Sequence, residues 1–184
     1  MSDELIGRKI AILVDEGFEQ IELTSPREAL EKQGAITHIV SPGKEKVRGR
    51  NHDKPGDEFD VDVPLDAANP DDYDVLVLPG GVMNPDKLRQ NDKAVAFTRA
   101  FFDQNKPVAA ICHGPWTLIE AGVVRGRRMT SYPSLKTDLG NAGAEWVDEP
   151  VVLDGALITS RGPQDLDAFN AALIRFAGQG RQAA

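Results

Sequence analysis

The chain has 184 residues, 41% of them hydrophobic and 27% charged, with a formal net charge of -8, which suits one soluble globular domain over residues 1–184 with a full core and a frayed tail from about Gly178. The acidic balance argues against a nucleic-acid partner, which needs a basic surface, and a single cysteine excludes an internal disulfide. No N-terminal apolar segment resembles a signal peptide and no apolar run is long enough to span a bilayer, so no membrane partner is expected and a cytoplasmic location follows.

Lys9-Ile10-Ala11-Ile12-Leu13-Val14 reads as a strand apolar enough to be covered on both faces. A helix is expected from about Glu19 to Gln33; within it Ser25-Pro26-Arg27-Glu28 has a capping-box pattern that predicts a restart or a kink. Gly34 ends it, and residues 37–41 form the second strand. The polar stretch 44–65, with the alternating Phe59-Asp60-Val61-Asp62-Val63, reads as a surface hairpin or edge excursion. Val75-Leu76-Val77-Leu78 is a buried strand ending in Pro79-Gly80-Gly81, and a helix spans about 92–104. Val108-Ala109-Ala110-Ile111 is the next buried strand. It runs into Cys112-His113-Gly114 and then a helix whose first turn holds Pro115. A short strand at 129–131, a helical piece at 134–141, a hairpin over 151–160 turning at Asp154-Gly155 and a final helix from Pro163 to about Phe176 complete the chain. Strands alternating with helices predict a parallel sheet with helices on both faces, whose ligand site lies beyond the carboxyl ends of the strands.

Three loops at that end carry reactive or permissive residues: Asp15-Glu16-Gly17-Phe18-Glu19, Pro79-Gly80-Gly81 and Cys112-His113-Gly114. Cys112 sits at a strand-to-helix turn that lifts its side chain toward a helix N-terminus, where free N–H groups and the dipole favour a thiolate. A thiol more acidic than a free cysteine is therefore expected there, in the manner of a nucleophile elbow. The plainer alternative is a small buried apolar residue. Two glycines let backbone approach a ligand, so the N–H groups of Gly81 and His113 are the candidate oxyanion donors; a tight turn would also use them. His113 is the candidate base, although a histidine next to the cysteine on a sharp turn does not easily swing its ring back to the thiol. Glu19 opens a helix, where any acid is favoured by the dipole, and a carboxyl packed against Cys112 would hold its proton and donate to the thiolate. His38 reads as a packing residue and His52 as a solvated one. One cysteine and three separated histidines offer no zinc spacing, and neither the dinucleotide nor the phosphate-loop pattern is present, so no metal or cofactor is expected.

Ala110-Ile111-Cys112-His113-Gly114-Pro115, Leu78-Pro79-Gly80-Gly81 and Phe18-Glu19-Gln20-Ile21-Glu22-Leu23 resemble the PfpI intracellular protease branch of the ThiJ/PfpI superfamily. Residues 126–132, 141–146, 151–155 and 159–161 continue the likeness, which spans nearly the whole chain. The resemblance implies a flavodoxin-like doubly wound α/β sheet similar to class I glutamine amidotransferases, with Cys112 in strained backbone geometry and Glu19 hydrogen-bonded to its sulfur. It also implies a homodimer or an assembly of dimers, in which an acid from a neighbouring subunit completes a Cys–His–acid triad. Asp86 takes that acid's place, in a loop one residue longer than the family pattern and as Asp rather than Glu; its alternative is a local cap for residues 87–90. Trp116 stands where the family has Gln and is expected to narrow a pocket that Gly80 and Tyr132 also line.

These readings point to a stress-response, cysteine-dependent hydrolase acting on peptide or glycated-protein substrates, an intracellular protease or a deglycase. Cys112 is the expected nucleophile, His113 the base, Asp86 its orienter and Glu19 the thiol partner. The rival reading is a redox sensor or chaperone whose Cys112 oxidises to sulfinate without efficient turnover.

Overall fold

Val75-Leu76-Val77-Leu78 and Val108-Ala109-Ala110-Ile111 carry no polar side chain, and both become central strands buried on each face. The structure, a computed structural model, describes residues 4–179. In chain order the elements are β1 (Lys9–Leu13), β2 (Phe18–Glu19), α1 (Gln20–Glu31), β3 (Ile36–Ser41), β4 (Lys46–Asn51), β5 (Lys54–Asp60), β6 (Val63–Pro64) and β7 (Val75–Leu78). There follow α2 (Met83–Leu88), α3 (Asp92–Asp103), β8 (Val108–Ile111), α4 (Pro115–Glu120), β9 (Arg128–Met129), α5 (Lys136–Asn141), β10 (Glu145–Trp146), β11 (Val151–Asp154), β12 (Leu157–Ser160) and α6 (Leu166–Gln179).

Seven strands form the main sheet in the order β11-β12-β8-β7-β1-β3-β6. All neighbours are parallel except β11, which returns antiparallel to β12. Alternation along each strand divides the core. Ile10, Ile12, Val77 and Ile111 face Leu23 and Leu30 of α1 and Phe169 and Leu173 of α6, while Ala11, Leu13, Leu76 and Ala110 face Phe97 and Phe101 of α3 and Leu118 of α4. The sheet is therefore doubly wound and mostly parallel, as expected. The chain leaves β1 toward β3 on one side and returns to β7 on the other. The crevice beyond the carboxyl ends of β1 and β7 is thus the topological switch point.

The structure excludes one of two alternatives at Pro26 and departs from the sequence reading at Asp86. One helix, α1, passes through Pro26 without restarting. Ser25 does not cap; its hydroxyl accepts from Asn170 of α6 at 2.9 Å, and the buried Pro26, Leu23 and Leu30 hold the helix on the sheet despite the lost backbone donor. Residues expected as an open loop form α2, so Asp86 lies within a helix instead of ahead of one.

The polar excursion folds as a hairpin, and its strand β4 also pairs with β2, giving a small sheet β2-β4-β5 at the carboxyl end of β1. Phe18 and Phe59 pack beneath it with ring centroids 5.6 Å apart. The hairpin β11–β12 turns at Gly155-Ala156, where Gly155 has φ 57. Among the described residues no helix is long and apolar enough to cross a membrane. Of the tail expected to fray, Gly178 and Gln179 end α6, and residues 180–184 lie outside the described residues.

At the opposite edge of the strands, Arg8 is 4% exposed and its Nη1 donates to Asp74 Oδ1 at 2.9 Å, while Lys9 N donates to Asp74 Oδ2 at 2.9 Å. This clamps the starts of β1 and β7. Removing the acid strands a buried guanidinium; the partial exposure of Asp74 moderates the loss. Asp74→Ala is expected to lower the unfolding free energy by about 2 kcal/mol in urea titrations, with an unchanged denaturant slope.

Candidate active site

Cys112 follows β8 directly and has φ 61, a left-handed conformation rare outside glycine. The neighbouring backbone holds it there: Cys112 N donates to Ser160 O at 3.0 Å, Tyr132 N donates to Cys112 O at 2.9 Å, and Gly114 N closes the turn on Ile111 O at 2.9 Å. Strain of this kind persists only where the surroundings over-determine it. The elbow fits because Gly80 lies directly against it, where a Cβ would stand 2.6 Å from both Cys112 Cβ and Glu22 Oε2. Gly81, with φ 77, then aims its N–H back toward the sulfur.

The sulfur is thus surrounded by donors. The N–H groups of Gly81 and His113 both point at it, and His113 Nδ1 lies 3.1 Å from Sγ. The ring does swing back to its own thiol, contrary to expectation: it stacks on Tyr132 with centroids 4.6 Å apart and meets the Trp116 ring at 5.2 Å, which fixes it over the turn. His113 Nε2 lies 3.3 Å from Ser134 Oγ, and burial lowers its pKa, so the ring is a neutral acceptor at neutral pH.

The acid beside the sulfur is Glu22, not Glu19. Glu22 is fully buried, its Oε2 accepts the Gly80 N–H at 2.8 Å, and its carboxyl interacts with the Cys112 thiol. Glu19 sits one helical turn earlier and turns outward. Its carboxylate accepts the His52 N–H at 3.3 and 3.2 Å, with His52 Nδ1 3.8 Å away. The signal for Glu22 was present in the sequence: it shares the helical face of Leu23, Pro26 and Leu30, and an acid on an apolar face is exceptional.

Burial lifts the Glu22 carboxyl from its ordinary 4.5 to about 8, so it keeps its proton at neutral pH. Burial also pushes the Cys112 thiol up, and so does the Glu22 carboxylate whenever it is ionised; the Gly81 and His113 N–H groups pull it down. The helix end therefore does not by itself make the thiol acidic. α4 is 6 residues long and the sulfur is sequestered above it. With Glu22 neutral, repulsion disappears and its O–H becomes a donor to sulfur. Both groups are thus held toward their protonated forms at rest, and once the thiol proton leaves, the proton remaining on Glu22 is shared with the sulfur.

An open cleft of about 450 Å³ leads to the sulfur, lined by Gly17, Glu19, Glu22, Arg50, His52, Gly81, Val82, Met83, Cys112, His113, Tyr132, Pro163 and Gln164. Tyr132 lines it as expected, whereas Trp116 does not. The Trp116 indole N–H donates to Asp138 at 2.9 Å and Arg89 covers its ring, so its bulk braces His113 from behind. Gly80 lies under the elbow and off the cleft wall. Asp86 is exposed on α2, accepts from Gln90 at 3.4 Å and does not reach His113 of its own chain. Arg50 and His52 were not expected in the cleft; only the pairing of β4 with β2 brings the hairpin tip there. Among the described residues no three His, Cys, Asp or Glu side chains gather where a metal could be held.

Residues 8–176 match the model of the DJ-1/PfpI family, and the chain belongs to that family. It is 45% identical over 161 residues, 88% of this chain and 94% of the other, to a protein of Pyrococcus horikoshii named as a deglycase. It is 43% identical over 176 residues, 94% of this chain and 99% of the other, to protein/nucleic acid deglycase 2 of Escherichia coli. Among solved structures it superposes with TM-score 0.88 and 36% identity on a two-domain protein of Anabaena variabilis with DJ-1/ThiJ/PfpI-like and ferritin-like domains. That match covers 95% of this chain and 49% of that one.

The shared proton gives a direct test by ultraviolet thiolate absorbance against pH, with Cys112→Ser as blank. Glu22→Gln keeps an acceptor for Gly80 and a donor for sulfur, and is expected to move the thiol titration by less than about one pH unit. Glu22→Leu loses the donor and is expected to raise it by at least about one unit.

Proposed function

We propose that this member of the DJ-1/PfpI family is a Cys112-dependent hydrolase that frees amines from oxoaldehyde adducts of proteins or from peptides, in a cytoplasmic, damage-limiting role. The observation that carries the reading is the Cys112 sulfur, held at φ 61 on the floor of an open cleft with the Gly81 and His113 N–H groups aimed at it. The naming of similar proteins as deglycases favours adducts over peptides as the substrate.

For an adduct in which the amine nitrogen is bonded to a hydroxyl-bearing carbon next to a carbonyl, sulfur displaces the amine and a hemithioacetal forms. A proton moves from that carbon to the neighbouring carbonyl carbon and the hydroxyl proton passes to the carbonyl oxygen, converting the hemithioacetal to a thioester without external oxidant. Water then cleaves the thioester to a 2-hydroxy acid and restores the thiol. The Gly81 and His113 N–H groups stabilise the oxyanion formed along the way. His113 Nδ1, on the sulfur at 3.1 Å, takes and returns the thiol proton, and Glu22 holds its own proton against the sulfur. A peptide would follow the acyl-transfer course through the same thioester.

His113 has no carboxylate partner among the described residues, while α2 presents Asp86 beside exposed Val82 and Met83. We place the orienting acid in a second copy: Asp86 of one protomer would reach His113 of the other across an isologous interface, giving two equivalent sites per dimer. The same donors would also hold a sulfinate on Cys112, and no second cysteine exists to trap a sulfenate, which keeps peroxide sensing as the second reading.

Release of free amine and 2-hydroxy acid from methylglyoxal-treated peptides is expected from the wild-type protein and to fall by roughly 10³ or more in Cys112→Ser. Absence of turnover, with a gain of two oxygens under mild peroxide, would select the sensing role. Subunit exchange between Asp86→Asn and Cys112→Ser proteins is expected to restore about half the activity per dimer. No recovery after proven exchange would leave Asp86 as a local helix residue.

A further inference from the structure

Apart from the carbon-to-carbon proton shift of the adduct route, two proton transfers common to both substrate classes are unassigned. The departing amine must gain a proton as its bond to carbon breaks, and the water that cleaves the thioester must lose one. His113 is badly placed for both. Its Nδ1 faces the sulfur, its Nε2 faces Ser134, and Tyr132 and Trp116 close its flanks. With that ring closed in, the free space beside Cys112 is the cleft, one wall of which is formed in part by the β4–β5 hairpin.

That wall holds a second histidine. The tip of the β4–β5 hairpin puts His52 into the lining of the cleft that ends at Cys112. The tip is built to present it. His52 itself has φ 57, the left-handed conformation that the two-residue turn between β4 and β5 calls for and that histidine accepts better than most residues. Its N–H is held by both oxygens of Glu19 at 3.3 and 3.2 Å. Its carbonyl accepts from Arg50 Nε at 3.3 Å, and Arg50 Nη2 donates to the Asp53 carbonyl. Glu19 has a side chain 12% exposed and is anchored on β2, while the His52 ring is 81% exposed and stands with Nδ1 3.8 Å from Glu19 Oε1. A nearly buried carboxylate thus backs an imidazole that is open to the cleft, the orientation by which an acid fixes the ring that moves a proton.

We infer that His52 is a second catalytic histidine, and that Glu19 and Arg50 are the residues that position it. The assignment rests on the hydrolase reading and deepens it. As the carbon–nitrogen bond breaks, its electron pair stays on nitrogen and His52 imidazolium gives that nitrogen a proton, releasing the free amine and leaving neutral imidazole. Water then attacks the thioester carbon and its proton passes to the same imidazole. The carbon–sulfur bond breaks, its pair returns to sulfur, the acid departs and imidazolium is restored. One histidine thus works as acid and then as base, while His113 and Glu22 serve the sulfur. Glu19, expected as the thiol partner, belongs to this second centre.

The test uses the full-length protein with a glycated peptide and an ester that acylates Cys112 but carries a good leaving group needing no proton. His52→Asn is chosen because asparagine accepts the left-handed turn. The rate of Cys112 alkylation by iodoacetamide reports whether the sulfur, Glu22 and His113 remain intact, and should match wild type within about twofold. Turnover of the glycated peptide should fall by roughly 10²-fold in kcat with KM little changed. Acyl-enzyme from the ester should form at the normal rate and then accumulate, visible by intact mass. Added imidazole should restore about tenfold of the lost turnover, which a purely structural hairpin residue would not allow. Glu19→Gln keeps an acceptor for the His52 N–H but removes the charge behind the ring, and should lose about tenfold in kcat. Unchanged turnover in His52→Asn, or a loss that imidazole does not restore and that leaves no acyl-enzyme, overturns the assignment while the Cys112→Ser result still upholds the hydrolase. Wild-type protein inactive on every substrate removes the hydrolase reading, and this assignment with it.

Discussion

The site depends on one carboxyl that has no cation among the described residues to neutralise it. Glu22 is enclosed by the first helix and the β7 loop, with the Gly80 N–H as its one backbone donor. Its rise from 4.5 to about 8 amounts to roughly 5 kcal/mol between the charged and neutral forms. That preference keeps a proton at the sulfur at the pH where a cysteine must lose one. Neither group can be understood alone. Ionising both would place two anions in one buried pocket, and keeping both protons would waste the Gly81 and His113 donors. Once the thiol proton leaves, neutral Glu22 and the Gly81 and His113 N–H groups all donate to the sulfur, so the anion is met as it forms.

The fold explains why so many constraints meet at one atom. A doubly wound sheet delivers the ends of β1, β7 and β8 to one edge, and reversal of the strand order between β1 and β7 opens a crevice there. β8 supplies the elbow, β7 the two glycines, and the segment after β1 supplies Glu22 on α1 and Glu19 on β2. The hairpin β4–β5 is not part of the main sheet. It closes the crevice by pairing β4 with β2, and so joins the wall carrying Arg50 and His52 to the strand carrying Glu19. A change in that pairing would alter the cleft mouth without disturbing the sulfur.

What the sequence disclosed followed the range of the forces involved. Elements fixed by local patterning were legible: the apolar runs of β1, β7 and β8, the elbow at Cys112 and the two-glycine turn all have short-range causes. Pro26 does not end the helix, because tertiary packing of α1 outweighs a missing backbone donor. The choice of Glu19 over Glu22 was an error of helical phase. Both lie beyond β1, but a turn of α1 separates the acid that faces inward from the acid that faces the hairpin. His52 was read as solvated, and its ring is largely exposed. What could not be read was the pairing of β4 with β2, a long-range contact that sets where an exposed ring is exposed.

The two walls of the cleft differ in a way that bears on chemistry. The floor holds a neutral acid, a neutral histidine and a nucleophile, all sequestered, and its groups stabilise one charge at a time. The hairpin wall holds Glu19, Arg50 and His52, and there solvent reaches the largely exposed His52 ring. A reaction that begins by forming a sulfur–carbon bond in a dry pocket and ends by admitting water needs that gradient, since a thioester survives long enough to be useful only if hydrolysis is directed. Family membership by itself does not choose among protein adducts, peptides and peroxide. If His52 carries protons as proposed, the hairpin wall favours the hydrolase, because a sensor has no use for a second proton carrier near its cysteine, whereas a hydrolase that must expel an amine does.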